Sequence, residues 1–432
     1  MQAIDIINLG CSKNLVDAEV LQTQLRSNGV LVRINPDPVT APIVIINTCG
    51  FIGDAKEESI ETILDTIQHK GGVNGLEKVY VMGCLSQRYK IDLQKEIPEV
   101  DGYYGVDQVS ELVRDLGLRY YQDKLEKREH STAGHYAYLK IAEGCNRNCA
   151  FCSIPIIRGR QVSRSVESLL KEASFLTENG TKELILIAQD LSSYGIDLYK
   201  KSALVQLVQK LEKIQGLEWI RLHYTYPNRF PDKLIELISG SDKICNYLDI
   251  PFQHISDNML KIMRRGHTRE ESIGLIRKLR ERIPDLALRT TLLVGHPGEK
   301  EADFQELMDF VKETRFDRLG VFTYSHEEGT HAYANYKDDI PQKMKTERAS
   351  RIMEIQQKIS AEINAEKLGS TIRVLIDRLE NDYYVGRSQY DSPEVDNEIL
   401  IPAGPKPLEV GTFFDVKITS SEEFDLYGEV VG

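Results

Sequence analysis

Residues 140–155 read KIAEGCNRNCAFCSIP. Cys145, Cys149 and Cys152 are spaced C-x3-C-x2-C, which sets three thiols within eight residues. A single short loop can wrap three corners of a small inorganic cube in this way. A [4Fe–4S] cluster held by three cysteines leaves one iron without a protein ligand, open to something reactive. Structural zinc is the chemical rival, but it wants four ligands, and no Cys-x2-Cys or paired His follows nearby. Chance clustering of packed thiols is the third possibility.

Outward from this loop, a strand–helix rhythm runs from about 136 to 325. Candidate strands are YAYLKIAEG, ELILIAQ, WIRLHYT, YLDIPF, ALRTTLLVG and RLGVFTYS. Amphipathic helices such as SVESLLKEASFLTENG and SALVQLVQKLEKIQ fall between them. Six βα units predict a partial (βα)6 barrel with its active groups at the strand C-termini. A polar helix over about 341–368 closes this unit, and Ile352, Ile355, Ile359 and Ile363 recur on one face that should pack back on the barrel.

Upstream, Cys11, Cys49 and Cys84 follow IDIINLG, PIVIINT and KVYVMG, and each precedes a helical stretch. Strand–Cys–helix repeated three times is the rhythm of a parallel sheet. Ligands of such sheets bind outside the strand C-termini, so cysteines distant in sequence should converge at one edge. Gly10, Gly50 and Gly83 would let the backbone approach an anionic ligand closely. The plainer alternative is three buried thiols in a Rossmann-like core. Cys245, read as preceding a strand, is expected to be a packed core thiol.

Downstream of about 370 the pattern changes to short alternating strands, predicting a small all-β barrel. The fold class is therefore α/β, with an N-terminal parallel-sheet domain (1–125), a central partial barrel (135–368) and a C-terminal β-barrel (370–432). The charged stretch YYQDKLEKREHSTAGHY reads as a linker.

Composition bounds the function. With 432 residues, 41% hydrophobic and 28% charged, the chain is neither disordered nor collagen-like. No apolar run is long enough to span a bilayer and no secretory signal is visible, so a cytoplasmic protein is expected. Net charge is −12, and residues 370–432 alone hold 5 Lys+Arg against 13 Asp+Glu. Such a surface repels phosphate backbones and favours a basic partner.

Together these features resemble the radical S-adenosylmethionine (SAM) methylthiotransferases over essentially the whole chain. The C-terminal barrel resembles that family's TRAM module. LGCSKNLVDAE, YLDIPFQHISDNMLKIMRRG and GRSQYDSPEVDNEI resemble the branch that modifies an aspartate of ribosomal protein S12. Two departures are Ser12, where Pro is common, and His296, where the family's GFPGE segment has Phe.

The resemblance implies two [4Fe–4S] clusters, an auxiliary one on Cys11, Cys49 and Cys84 and a radical-SAM one on Cys145, Cys149 and Cys152. It implies SAM as cofactor, a 5′-deoxyadenosyl radical as the hydrogen abstractor, and transfer of a methylated cluster-bound sulfur to the aspartate β-carbon. It further implies SAM contacts at Phe151, Arg158, Gln189, Asp190, Gly295, Pro297 and Glu299. Most have a plainer alternative: cluster shielding for Phe151, a turn cap for Asp190, a common strand–turn–helix segment for Gly295 and Pro297, a helix-start charge for Glu299 and a surface ion pair for Arg158. No His has metal-ligand spacing, and none is expected to be catalytic. Expected partners are S12 or the small ribosomal subunit, an electron donor such as flavodoxin or ferredoxin, and a sulfur donor, with no membrane. The competing readings are a tRNA adenosine 2-methylthiotransferase and a non-catalytic iron–sulfur or zinc binding module.

Overall fold

Runs containing Ile and Val make the first four strands, β1 (Ala3–Asn8), β2 (Leu31–Ile34), β3 (Ile43–Thr48) and β4 (Lys78–Gly83), and the pair Gly102–Tyr103 adds a short β5. The computed structural model describes residues 3–72 and 75–431. In it the five strands are parallel in the order β2-β1-β3-β4-β5. The strand order reverses between β1 and β3, which is where doubly wound sheets open a crevice. One face packs Ile4, Ile6, Ile43 and Ile45 against α1 (Ser12–Arg26), and the other packs Val44, Ile46, Val79 and Val81 against α2 (Gly53–Gln68) and α3 (Cys84–Glu96).

The stretch read as a linker is not a free tether. Arg128 is fully buried there, pairing with Glu19 of α1 and with Glu172, and donating to the Tyr138 carbonyl. A charged run is solvated only when its partners lie within it, and here they come from two other segments.

β6 (Tyr136–Lys140) leads into a two-stranded ribbon of β7 (Ala142–Glu143) and β8 (Val162–Ser163), which pinches off the Cys145–Cys152 loop. Five more parallel strands follow: β9 (Glu183–Ile187), β10 (Trp219–Leu222), β11 (Ile244–Asp249), β12 (Ala287–Val294) and β13 (Arg318–Thr323). With β6 they form one six-stranded sheet in the order β13-β12-β11-β10-β9-β6. Alternation along each strand splits the two faces. Leu184, Leu186, Ile220, Leu222, Leu248 and Leu288 meet the helices. Tyr138, Ile185 and Ile187 point the other way, where Leu15 and Val16 of α1 cover them. Cys245 lies within β11 rather than before it, buried against Trp219 and Tyr247. The long helix spans Gln342–Ala365, with Ile352 and Ile359 buried and Ile355 and Ile363 packed alongside.

The C-terminal strands β14 (Thr371–Glu380), β15 (Tyr383–Ser388), β16 (Ile399–Pro402), β17 (Phe413–Ser421) and β18 (Leu426–Val430) close a barrel in the order β14-β15-β16-β18-β17. This barrel is not an appended knob. Its 388–397 loop reaches the inner face of the six-stranded sheet, where Ser392 meets His223 at 2.8 Å and Asp396 accepts from Tyr247 at 2.7 Å. Arg387 pairs with Glu183 at 2.9 Å, and Arg221 donates to the Gln389 carbonyl. Among the described residues no helix is long and apolar enough to cross a membrane.

Candidate active site

The first cysteine trio sits at the C-terminal edge of the N-terminal sheet. Cys11 is the N-cap of α1, Cys49 follows β3, and Cys84 opens α3 directly after β4. Asn14 ties their loops together: its Nδ2 donates to the carbonyls of Leu9 and Thr48 at 3.0 Å, and its Oδ1 lies 3.5 Å from Cys84 Sγ. Gly10 is at φ +87°, and a Cβ there would stand 2.9 Å from Cys49 Cβ, so the close approach of these two loops requires glycine. Burial pushes the Cys84 thiol up to about 12 and raises Cys49. At Cys11 burial also pushes upward, but the Lys13 ammonium and the backbone N–H groups of Asn14 and Lys13 outweigh it, and the thiol falls below its ordinary range. Such thiols become thiolates together only when a cation binds them.

The second trio occupies the loop closed by β7 and β8. Gly144, at φ +76°, brings the loop within a Cβ's width of the Arg160 carbonyl, and Cys145 N–H donates to Gly159 O at 3.1 Å. Arg265 is buried and lies 3.1 Å from Cys149 Sγ. The Arg147 and Arg265 guanidiniums stack on the same Tyr226 ring, 4.0 and 4.4 Å from its centroid. Burial pushes Cys145 up to about 11 and Cys152 up to about 12.

The donor sets suit iron–sulfur cubes. Each offers three soft thiols, with N–H or guanidinium donors beside the sulfur. Among the described residues no three His, Cys, Asp or Glu close on a point as a single ion requires. A cube asks for a wider spread, because each thiolate takes its own iron.

The expected SAM contacts divide. Phe151 lies edge-on to His296, centroids 6.3 Å apart, which brings the cysteine loop to the Gly295–Glu299 turn. Pro297 is buried in that turn. Gln189 donates to Glu143 at 2.6 Å, and its own Oε1 is buried without a partner. Asp190 caps the turn at Ser192 and pairs with Arg147 at 2.8 Å. Glu299 accepts from Gly295 N–H at 2.7 Å and from Arg348 at 2.8 Å, so it closes its own turn and clamps the long helix. Arg158 departs furthest from expectation. Its guanidinium turns away to the first trio, 3.2 Å from Cys84 Sγ, and pairs with Glu143 at 2.8 Å and Asp17 at 3.1 Å. Asn14 Oδ1 also accepts from it, so the guanidinium is committed to four acceptors.

Sequence reasoning passed over Arg147, Tyr226, Arg265, Lys13, Asn14 and Glu327. Arg265 was visible only as part of MRRG, and Asn14 only as part of CSKN. Glu327 is a seam residue: buried, it pairs with Arg88 at 2.6 Å and Lys56 at 2.9 Å, both from the N-terminal domain. Ser153, next to Cys152, donates to the Phe51 carbonyl beyond Cys49. The loops of the two trios therefore meet across one interface. Burial pushes His254 down to about 3, and His267 and His296 to about 4, leaving neutral rings.

Three family models match the chain: "Uncharacterized protein family UPF0004" over residues 3–105, the radical SAM superfamily over 139–311 and the TRAM domain over 368–431. The Bacteroides fragilis protein named ribosomal protein uS12 methylthiotransferase RimO is 53% identical over 430 residues, covering 100% of this chain and 99% of that one. The chain belongs to the RimO family of radical SAM methylthiotransferases. The RimO of Parabacteroides distasonis is 52% identical over 428 residues, 99% of each chain. Among solved structures, the radical SAM methyltransferase TsrM of Kitasatospora setae aligns with a TM-score of 0.55 at 15% identity, over 74% of this chain and 73% of that one, a likeness of fold alone. In the RimO family frame, the first trio falls within the 3–105 match and the second within the radical SAM match.

Proposed function

We propose that this chain is a methylthiotransferase acting on ribosomal protein uS12, replacing one hydrogen on the β-carbon of an aspartate with a methylthio group. The observation that carries the reading is full-length likeness, 53% over 430 residues, to a protein named for uS12 methylthiotransfer. Convergence of two cysteine trios on one domain interface supports it.

In this reading Cys145, Cys149 and Cys152 hold one [4Fe–4S] cluster with SAM, and Cys11, Cys49 and Cys84 hold the other. Bound there, these groups supply a low-potential electron, a radical able to take an unactivated hydrogen, and a sulfur bearing a methyl group. The chain's own residues position and shield. Arg265 and Arg147 flank the second trio with fixed positive charge, and the Tyr226 ring lies between them with its hydroxyl 3.8 Å from Cys149 Sγ. Phe151, beside Cys152, meets His296 edge-on. Arg158 sets positive charge against Cys84, so the first trio also faces a cation from the neighbouring domain. Electrons come from a carrier of the flavodoxin or ferredoxin class, sulfur from a separate donor, and the ribosomal substrate places the enzyme in the cytoplasm.

Mass spectrometry of uS12 peptides from cells with and without this gene tests the proposal. One aspartate should carry the mass of a methylthio group in place of hydrogen only when the gene is present. An unchanged uS12, with loss of a methylthio-adenosine from tRNA, would overturn it.

A further inference from the structure

Lys13 lies two residues beyond Cys11, on the first turn of α1, and is 8% exposed. Its ammonium rests over the Tyr224 ring, 3.4 Å from the centroid. Among the described residues it has no ion-pair or hydrogen-bond partner, and the acidic groups that feel its charge, Cys11 and Asp249, lie beyond contact distance. A buried ammonium is costly without a counter-charge, and an aromatic face offsets only part of that cost. The neighbouring cations are all committed: Arg158 and Lys140 to Asp17 and Glu143, Arg147 to Asp190, Arg289 to Asp249 and Asp396. Tyr224 itself is held at φ +61°, just past the end of β10.

We propose that Lys13 receives the side-chain carboxylate of the substrate aspartate. This rests on the uS12 reading above and adds the group that recognises the residue to be modified. The aspartate β-carbon is one bond from its carboxylate carbon, so anchoring the carboxylate fixes the reacting carbon beside the first trio. Lys13 reaches this place from the first trio's own helix, and the Tyr224 ring beneath it belongs to the central barrel, so the anchor stands at the seam of the two domains. An uncommitted ammonium also discriminates by charge. A neutral amide of the same shape leaves it unpaired, and sites that strand a buried polar group reject such isosteres strongly.

The test is equilibrium binding of fluorescently labelled uS12 to the cluster-loaded enzyme without SAM. Two substrates are compared, native uS12 and a uS12 carrying asparagine at the modified position. Wild-type enzyme should prefer the aspartate form about tenfold or more, as expected for a charge-assisted hydrogen bond. Lys13→Met keeps the aliphatic stem over Tyr224 and should bind both forms equally. Lys13→Arg, which retains charge if the methionine variant fails to fold, should keep a preference for aspartate. A residue that only braced Tyr224 would weaken both substrates alike. Undiminished preference in Lys13→Met, or its loss in Lys13→Arg, overturns the proposal. A wild-type enzyme that leaves uS12 unmodified by mass overturns the substrate reading as well, and that result is read before any variant is compared.

Discussion

Glu299 is engaged within its own segment and by the long helix. The VGHPGE stretch was expected to cradle SAM, yet its glutamate bonds its own backbone and Arg348. Burial pushes its carboxyl up to about 7, against the opposing pull of Arg348 and the Gly295 N–H. A folded-state value above the ordinary one, about 4.3, means that the fold favours the neutral acid. Its stabilising contribution is complete below that ordinary value and lost as pH rises through about 7. Glu299→Gln cannot ionise and should therefore gain on wild type, by on the order of 2 kcal/mol, between about pH 5 and pH 8. Melting temperatures of both proteins across that range check this, and a pH-independent difference would contradict it. The placement of the six cysteines in two trios was legible because thiols are rare and these follow strand ends. Arg158 was not legible, because its acceptors Asp17 and Cys84 belong to another domain and no local spacing encodes them.

At the scale of elements, turn chemistry positions the first trio. Gly83 joins β4 to α3 at φ +101°, and a Cβ there would lie 2.6 Å from both Asn47 Oδ1 and the Thr48 carbonyl. Gly29, after α1, has φ +77° with open space around it. Alanine at either position carries left-handed strain of roughly 1–2 kcal/mol, but only Gly83→Ala also forces backbone apart. Urea unfolding should show Gly83→Ala losing at least twice the stability that Gly29→Ala loses. Equal losses would mean that the β4–α3 turn is not packed as described. Long strands with clear alternation were readable, and all six of the central sheet were anticipated. β2 and β5 were not. The first is a four-residue edge whose Arg33 pairs with Asp5 at 2.7 Å, and the second has two residues, too few for any period to register.

Across the whole molecule, the acidic barrel has a second role that composition concealed. Asp377 and Asp391 are buried, and the side chain of Asp396 is enclosed, each pairing with an arginine. Those charges build the floor of the central sheet, while acids such as Glu394, Glu409 and Glu422 stay exposed at the surface. Removing residues 370–432 would strip Arg318 and Arg289 of acceptors and uncover Trp219 and Tyr247. Breaking even one such buried pair costs about 3 kcal/mol. The truncated chain should melt roughly 10 °C or more below the full one by calorimetry. An unchanged melting temperature would mean that the barrel is a detachable docking module.

Metal analysis most directly tests whether the two cysteine trios each bind a cluster. The anaerobically reconstituted chain is compared with a Cys49→Ala/Cys84→Ala variant by iron and zinc content. The account predicts about eight irons per chain for the wild type and about four for the variant, two cubes against one. Equal iron in both proteins, or zinc in its place, would contradict it.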